Sequence, residues 1–369
     1  MDVPDTMKAQ VFYEPEKMTL DEAKPVPEIG PEEVLVKVHA TGICGSDISY
    51  YFGKAAVGTE DPLVLGHEIS GVIARVGEIA AEKGGFEVGD PVVVNPVQSD
   101  VDSPWTQKGL SNVDLGDVVG ITKDGGFAEY CASHWYWTVK VPQDMDLDIA
   151  ASAEPLACGL YAVKNLNIEA GQFVTIFGPG PIGLMMVQMA KVYGAGKVLL
   201  VGTRDERLDV GKELGTDLIA NTKDPESPNY VEDLDKFIRD NNDGELSDRT
   251  ILATANLGAI KSGIDTAGNA STVVIFGLPG DDDVHSFSGI QCMLKDMTIR
   301  YSWLAPDTWP EAVDLLHSGK VRVEPIQSYS FALEELGDSL HKVKNREGNA
   351  IKPLMKTDNG TTATGKAEA

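Results

Sequence analysis

At 369 residues, 42% hydrophobic and 24% charged, the chain is longer than one typical core supports and is expected to form two domains. Its net charge of -26 at pH 7 excludes nucleic acid and anionic membrane surfaces as partners, since no basic stripe exists to neutralise phosphates. The carboxylate surplus reads as a well-solubilised surface, or as an adaptation to high salt.

From Lys8 to Val94 the chain reads as short β-branched strands, AQVFYE, EEVLVKVHA, ISGVIARVG and DPVVVNP, separated by Pro/Gly turns. This predicts a β-rich, barrel-like first domain. Residues 95–125 are polar and irregular and read as a long surface loop, after which strand character returns at GGFAEYCAS and WTVKVP. Near Asp148 the rhythm changes. A helix is predicted in DIAASAEPLACGLYAVKNL, followed by strand FVTIFG, helix IGLMMVQMAKVYG, strand KVLLVG and helix DERLDVGKELG. Such alternation predicts a parallel, doubly wound sheet, continued through RTILATA, GAIKSGIDTAG and STVVIFGLPG. Beyond Tyr301 come a helix (PEAVDLLHSG), a second helix (ALEELGDSLHKVK) and a strand (AIKPLMK), and the tail from about residue 357 is polar enough to be disordered.

The strand over residues 173–177 ends in Gly178-Pro179-Gly180-Pro181-Ile182-Gly183 and a helix follows. This is G-x-G-x-x-G in the context that gives it meaning, and it predicts a nicotinamide dinucleotide. The first glycine makes the turn, the second admits the pyrophosphate and the third lets helix and strand pack. An acidic residue commonly ends the second strand and binds the adenosine ribose, yet Gly202 stands there, followed by Thr203 and Arg204. Loss of that carboxylate, with an Arg able to pair with a 2′-phosphate, tilts the expectation towards NADP over NAD. The alternative is a solvated Arg204, with Asp205 in the acidic role.

Two glycine-rich stretches carry the remaining chemistry, Gly42-Ile43-Cys44-Gly45-Ser46-Asp47 and Gly66-His67-Glu68-x-x-Gly71. A catalytic zinc takes thiolate, imidazole and carboxylate donors and keeps one position open. Cys44 and His67 alone would be ambiguous. With the dinucleotide motif downstream they point to one family.

From about residue 8 to 356 the sequence resembles the zinc-containing medium-chain dehydrogenase/reductase family, with GHEISGVIARVGE similar to its zinc signature. Within that family, Cys44-Gly45-Ser46-Asp47-Ile48-Ser49-Tyr50-Tyr51, Ala153-Glu154-Pro155-Leu156, Ile299-Arg300-Tyr301 and Thr308-Trp309-Pro310 look most like sorbitol and xylitol dehydrogenases. The resemblance implies an α/β protein with a β-rich GroES-like catalytic domain over residues 1–155 and 302–369. Residues 156–301 would be a Rossmann coenzyme domain with a doubly wound parallel sheet. Cys44 and His67 would be zinc ligands, with Glu68 and Glu154 competing for the carboxylate place. Asp47 would accept a hydrogen bond from His67, or merely cap a turn. Ser46 would pass the alcohol proton outward, Tyr50 would shape the pocket, and Arg300 would hold substrate hydroxyls or form an interdomain ion pair. Gly178, Gly180, Pro181, Ile182, Gly183, Thr203 and Arg204 would bind the coenzyme.

Two departures from the family stand out. The proton relay of many relatives continues to a His three residues after that Ser, where this chain has Ser49, so Ser49, water or the coenzyme ribose would take over. The cysteine quartet that holds a structural zinc in many relatives is missing from residues 95–115, which predicts one zinc per chain.

The implied reaction is reversible hydride transfer between a polyol or sugar secondary alcohol and nicotinamide, with zinc lowering the pKa of the coordinated hydroxyl. Alternatives are a dehydrogenase of another secondary alcohol (a 3-hydroxy amino acid, a sugar acid or an aldose) and a zinc-free, non-catalytic NADPH-binding relative. Four cysteines, Cys44, Cys131, Cys158 and Cys292, scattered with no paired spacing, fit a reducing compartment. The N-terminus has no signal pattern and the apolar stretch 173–189 is too interrupted to span a membrane, so a cytoplasmic location is expected. By analogy a homo-oligomer, dimer or tetramer, is expected, with the strand near STVVIFG extending a sheet between subunits.

Overall fold

A computed structural model describes residues 2–55, 62–280 and 282–357. The tail from residue 358, expected to be disordered, lies outside them.

The first unit is organised around strand Glu33–Gly42, whose Val34, Leu35 and Val36 are fully buried. It pairs antiparallel with Glu68–Val76, with Tyr130–His134 and with Leu354–Lys356 in a seven-stranded sheet that also includes Pro91–Val94, Thr138–Lys140 and Ser330–Ala332. A smaller sheet joins Thr6–Glu14 to Lys17–Pro25 and Leu63–Val64. Strand Lys17–Pro25 went unpredicted because its side chains are mostly exposed and polar, leaving no apolar alternation to read. One apolar cluster, including Leu35, Leu65, Ile69 and Phe127, fills this unit.

Residues 95–125 differ from the predicted loop. They contain a two-stranded sheet, Val97–Gln98 with Asp117–Val118, and two helical turns, Thr106–Lys108 and Ser111–Val113. Buried polar groups take the place of an apolar pattern. Ser99 Oγ donates to the Ser111 carbonyl at 2.9 Å, the Trp137 indole to the Ser99 carbonyl at 3.0 Å, and Ser103 to Asp114.

The second unit holds six parallel strands in the order Leu218–Asn221, Lys197–Gly202, Phe173–Phe177, Ser247–Leu252, Ala267–Ile275, Thr298–Tyr301. In sequence rank this is 3-2-1-4-5-6, the doubly wound order of dinucleotide-binding sheets. Phe173–Phe177 is buried along its whole length, as a central parallel strand must be. The sheet corrects one expectation. STVVI of that stretch falls in Ala267–Ile275, which is flanked on both sides, so among the described residues the edge strands are Leu218–Asn221 and Thr298–Tyr301.

By compactness the first unit comprises residues up to Glu154, Trp309–His317 and the chain from Gln327, and the second Pro155–Thr308 and Ser318–Ile326. The expected boundary at 301/302 therefore shifts, and 318–326 joins the coenzyme unit. Hydrogen bonds account for both changes. Thr308 Oγ1 donates to the Ala157 carbonyl at 2.9 Å, and the Gln188 amide grips the Arg322 backbone at 2.8 and 2.9 Å.

Candidate metal centre and coenzyme turn

Strand register assembles the first site. Gly42 lies opposite Glu68 on one side and Leu354 on the other, so Cys44, His67 and Lys352, each just beyond these positions, converge at one end of the sheet. Cys44 opens the helix Gly45–Tyr51, and its backbone N–H donates to Asp47 Oδ2 at 2.8 Å. One ligand atom each from Cys44, His67 and Glu68 lies within 4.8 Å of the others.

The donor set fits a zinc ion. Thiolate, imidazole and carboxylate meet in a buried place, and among the described residues this is the one such group. Two buried atoms beside it, His67 Nδ1 and Asp47 Oδ1, have no hydrogen-bond partner although they stand 3.6 Å apart. Metal binding would fix the imidazole tautomer and let Asp47 accept its N–H. Asp47 caps the turn through the Cys44 N–H, and its other oxygen faces His67 without a hydrogen bond in this arrangement.

The charges are strongly coupled. Burial disfavours the His67 imidazolium, but Asp47 and Cys44 outweigh it and hold the metal-free imidazole well above its ordinary pKa. Burial pushes Asp47 up, against the pull of His67 and the Cys44 N–H. Glu154, 8% exposed in the first turn of helix Ala153–Asn165, acts electrostatically on His67 and Lys352, while Glu68 belongs to the tight donor group.

Of the other expected residues, Ser46 places Oγ 3.5 Å from His67 Nε2. Tyr50 is half-buried, and burial, then Asp47 and Cys44, raise its pKa. Ser49 turns its hydroxyl back onto the Gly45 carbonyl at 3.1 Å. Arg300 lies on the edge strand of the second unit. Its guanidinium donates to Tyr161 Oη at 3.3 Å and faces that ring, which accounts for it without an acidic partner.

Sequence reasoning missed Lys352. It is 2% exposed, and its ammonium donates to both Glu68 oxygens at 2.5 and 2.8 Å and to the Ile43 carbonyl at 3.1 Å. Burial works against its charge, but Glu68, Cys44 and Glu154 raise its pKa overall. The available signal was a lone lysine in the apolar run Ala350-Ile351-Lys352-Pro353-Leu354, since a cation at a strand's buried face needs a partner. Gly42 is its counterpart, because a Cβ there would lie 2.1 Å from Glu68 Oε2.

In the second unit, the turn after Phe173–Phe177 has Gly178 at φ +103°, where its Cβ would lie 2.5 Å from the Ala253 carbonyl oxygen. A Cβ at Gly183 would lie 2.0 Å from the Gly178 oxygen, so the third glycine does set the helix–strand approach. Gly180 caps helix Pro181–Val192, with Pro181 at its first position and Ile182 next. Around Gly180 a Cβ would meet nothing within 4 Å, which leaves room for a pyrophosphate at the helix N-terminus. Thr203 is exposed and Arg204 caps helix Asp205–Glu213.

Asp205, the alternative acid, has one oxygen committed within its own unit. Its Oδ1 accepts from Ser227 Oγ at 2.8 Å and from the Asn221 and Asn229 amides at 3.1 Å, and these bonds lower its pKa. There is no room for an acid at 202, where a Cβ would lie 2.6 Å from Pro179 Cγ.

Comparison with known proteins agrees with this geometry. Residues 30–143 match the alcohol dehydrogenase GroES-like domain and residues 181–318 the zinc-binding dehydrogenase family. Sorbitol dehydrogenase of Ovis aries is 30% identical over 337 residues, 90% of this chain and 92% of the relative. That of Bacillus subtilis (strain 168) is 28% identical, over 96% and 98%. Among solved structures, a zinc-binding dehydrogenase of Sinorhizobium meliloti 1021 bound to NADP superposes with a TM-score of 0.85 at 26% identity, covering 96% of this chain and all of the other. An alcohol dehydrogenase of E. coli CFT073 complexed with NADH gives 0.85 at 27%, with the same coverage.

Proposed function

Because the chain belongs to the zinc-containing medium-chain dehydrogenase/reductase family, with sorbitol dehydrogenases among its relatives, we propose that it interconverts a secondary alcohol of a polyol or sugar and the corresponding ketone, with NADP preferred over NAD. The observation that carries the reading is the buried Cys44–His67–Glu68 group, with Glu154 close enough to act on His67. Cys44, His67 and Glu68 would hold a zinc ion, which supplies Lewis acidity that favours the alkoxide over the alcohol.

The chain's own groups handle the proton and the orientation. Asp47 orients His67, and the Ser46 hydroxyl beside that ring receives the alcohol proton and passes it outward. Half-buried Tyr50, beside Asp47 and Cys44, would shape the pocket, and Glu154, which acts on His67, would hold a water or the metal. A nicotinamide coenzyme held at the Gly178–Gly183 turn would supply the hydride acceptor, taking up two electrons and the carbinol hydrogen as the alcohol becomes a ketone. For the 2′-phosphate, Arg204 and Thr203 flank a strand end where Gly202 carries no acid and Asp205 has one oxygen engaged elsewhere.

A homodimer through the coenzyme sheet completes the proposal. The outer edge of Thr298–Tyr301 has no strand beyond it, and Ile290, Met293 and Leu294 on the neighbouring helix are 61, 79 and 78% exposed. No helix among the described residues is long and apolar enough to cross a membrane, and the absence of a paired cysteine spacing in the sequence supports a reducing, cytoplasmic setting.

The test is a panel of polyols, sugars, sugar acids and 3-hydroxy amino acids with both coenzymes, before and after chelation. Expected are ketose formation from polyols, faster turnover with NADP, loss on chelation and recovery with zinc. Turnover confined to 3-hydroxy amino acids would move the substrate to the runner-up class. Activity that survives complete zinc removal would overturn the metal mechanism.

A further inference from the structure

The ammonium of Lys352 has three hydrogens, and the structure gives it three acceptors: both oxygens of Glu68 and the Ile43 carbonyl. Glu68 is fully buried, so water does not screen this pair. The same carboxylate also belongs to the donor group with Cys44 and His67. Lone pairs and charge that Lys352 draws from Glu68 are lost to a metal ion. Lys352 also acts electrostatically on Cys44, but its hydrogen bonds go to Glu68 and the Ile43 carbonyl, and His67 is steadied by an anion, Asp47.

We propose that Lys352 is a positioning residue that competes with the metal for Glu68, making this carboxylate a weak ligand that yields its place to substrate oxygen while Cys44 and His67 stay bound. Lys352 makes no contact with substrate in this scheme. It acts by setting how tightly Glu68 holds on. Gly42 serves the same end from the other side, because only a residue without a Cβ leaves the space that Glu68 occupies beside Lys352. The inference rests on the reading that Cys44, His67 and Glu68 hold zinc.

Zinc-loaded wild type, Lys352→Met and Lys352→Arg are compared by zinc transfer to a chromophoric chelator, by the absorption spectrum after cobalt replacement, and by kcat and KM. Lys352→Met is expected to release zinc at least tenfold more slowly, to shift the cobalt spectrum, and to lose kcat with little change in KM. Lys352→Arg should behave like wild type. A purely structural role predicts the opposite sign, since a loosened site releases zinc faster. Release from a folded Lys352→Met protein at the wild-type rate or faster overturns the proposal. Should Lys352→Met fail to fold, Lys352→Gln, which keeps an amide donor without the charge, decides the question by the same readout. Wild-type protein that takes up no zinc would instead refute the metal reading, and the two failures are thereby separate.

Discussion

The space around single residues decides what the two sites can accept. A methyl group at position 42 would occupy the place of Glu68 Oε2, 2.1 Å away. Gly42→Ala should therefore displace the carboxylate, cut kcat/KM at least tenfold and cost about 1–3 kcal/mol in stability, as overpacking does. Kinetics and thermal unfolding check this. At the coenzyme strand end, Arg204→Ala should raise KM for NADPH roughly tenfold, the worth of one charge-assisted bond, and leave that for NADH nearly unchanged. Gly202→Asp should weaken both coenzymes instead of switching preference, because its Cβ would collide with Pro179 in the glycine turn. Titrations with both coenzymes distinguish a switch from a general loss. The turn itself was legible because its glycine spacing and its flanking strand and helix are written in consecutive residues. Lys352 was not, since 284 residues separate it from Glu68 and only strand register brings them together.

At the scale of elements, the short helix Leu147–Ala150 is pinned just ahead of the helix that carries Glu154. Asp148 Oδ1 lies 3.0 Å from His39 Nε2, its Oδ2 binds Lys356, and Gln327 donates to its carbonyl at 2.7 Å. The His39 bond, and then Lys356, hold the Asp148 pKa below its ordinary 3.8 despite partial burial. A depressed carboxylate stabilises the fold above its unfolded pKa and loses that effect as pH falls through the folded value. Asp148→Asn should thus cost about 1 kcal/mol at pH 7, and the difference should fade as pH falls below 3.8 and through the lowered folded value. Urea unfolding across pH reads it directly, and a constant difference would contradict the assignment. Alternation of strand and helix made the coenzyme sheet legible. The 95–125 lobe was opaque because hydroxyls and an indole, not an apolar period, order it.

For the whole molecule the excess of acid matters more than any single pair. A net charge of -26 makes the folded state repel itself, and salt screens that repulsion over about 10 Å at 0.1 M. Thermal midpoints should rise by a few degrees as sodium chloride increases from roughly 0.05 to 0.5 M, whereas a fold held mainly by its surface ion pairs would move the other way. Calorimetry over a salt series settles the sign. The division into two units was legible from composition and rhythm, but the return of Ser318–Ile326 to the coenzyme unit was not, because the Gln188 amide that secures it is 134 residues away.

The hydroxyl-and-indole lobe has a nutritional consequence. A lobe fastened by Ser99, Ser103, Asp114 and Trp137 is ordered by its own side chains, and among the described residues no clustered metal-ligating group falls in it. Trace-element scarcity is then expected to idle the proposed enzyme before it loosens this lobe, which limited proteolysis of the zinc-stripped protein would show.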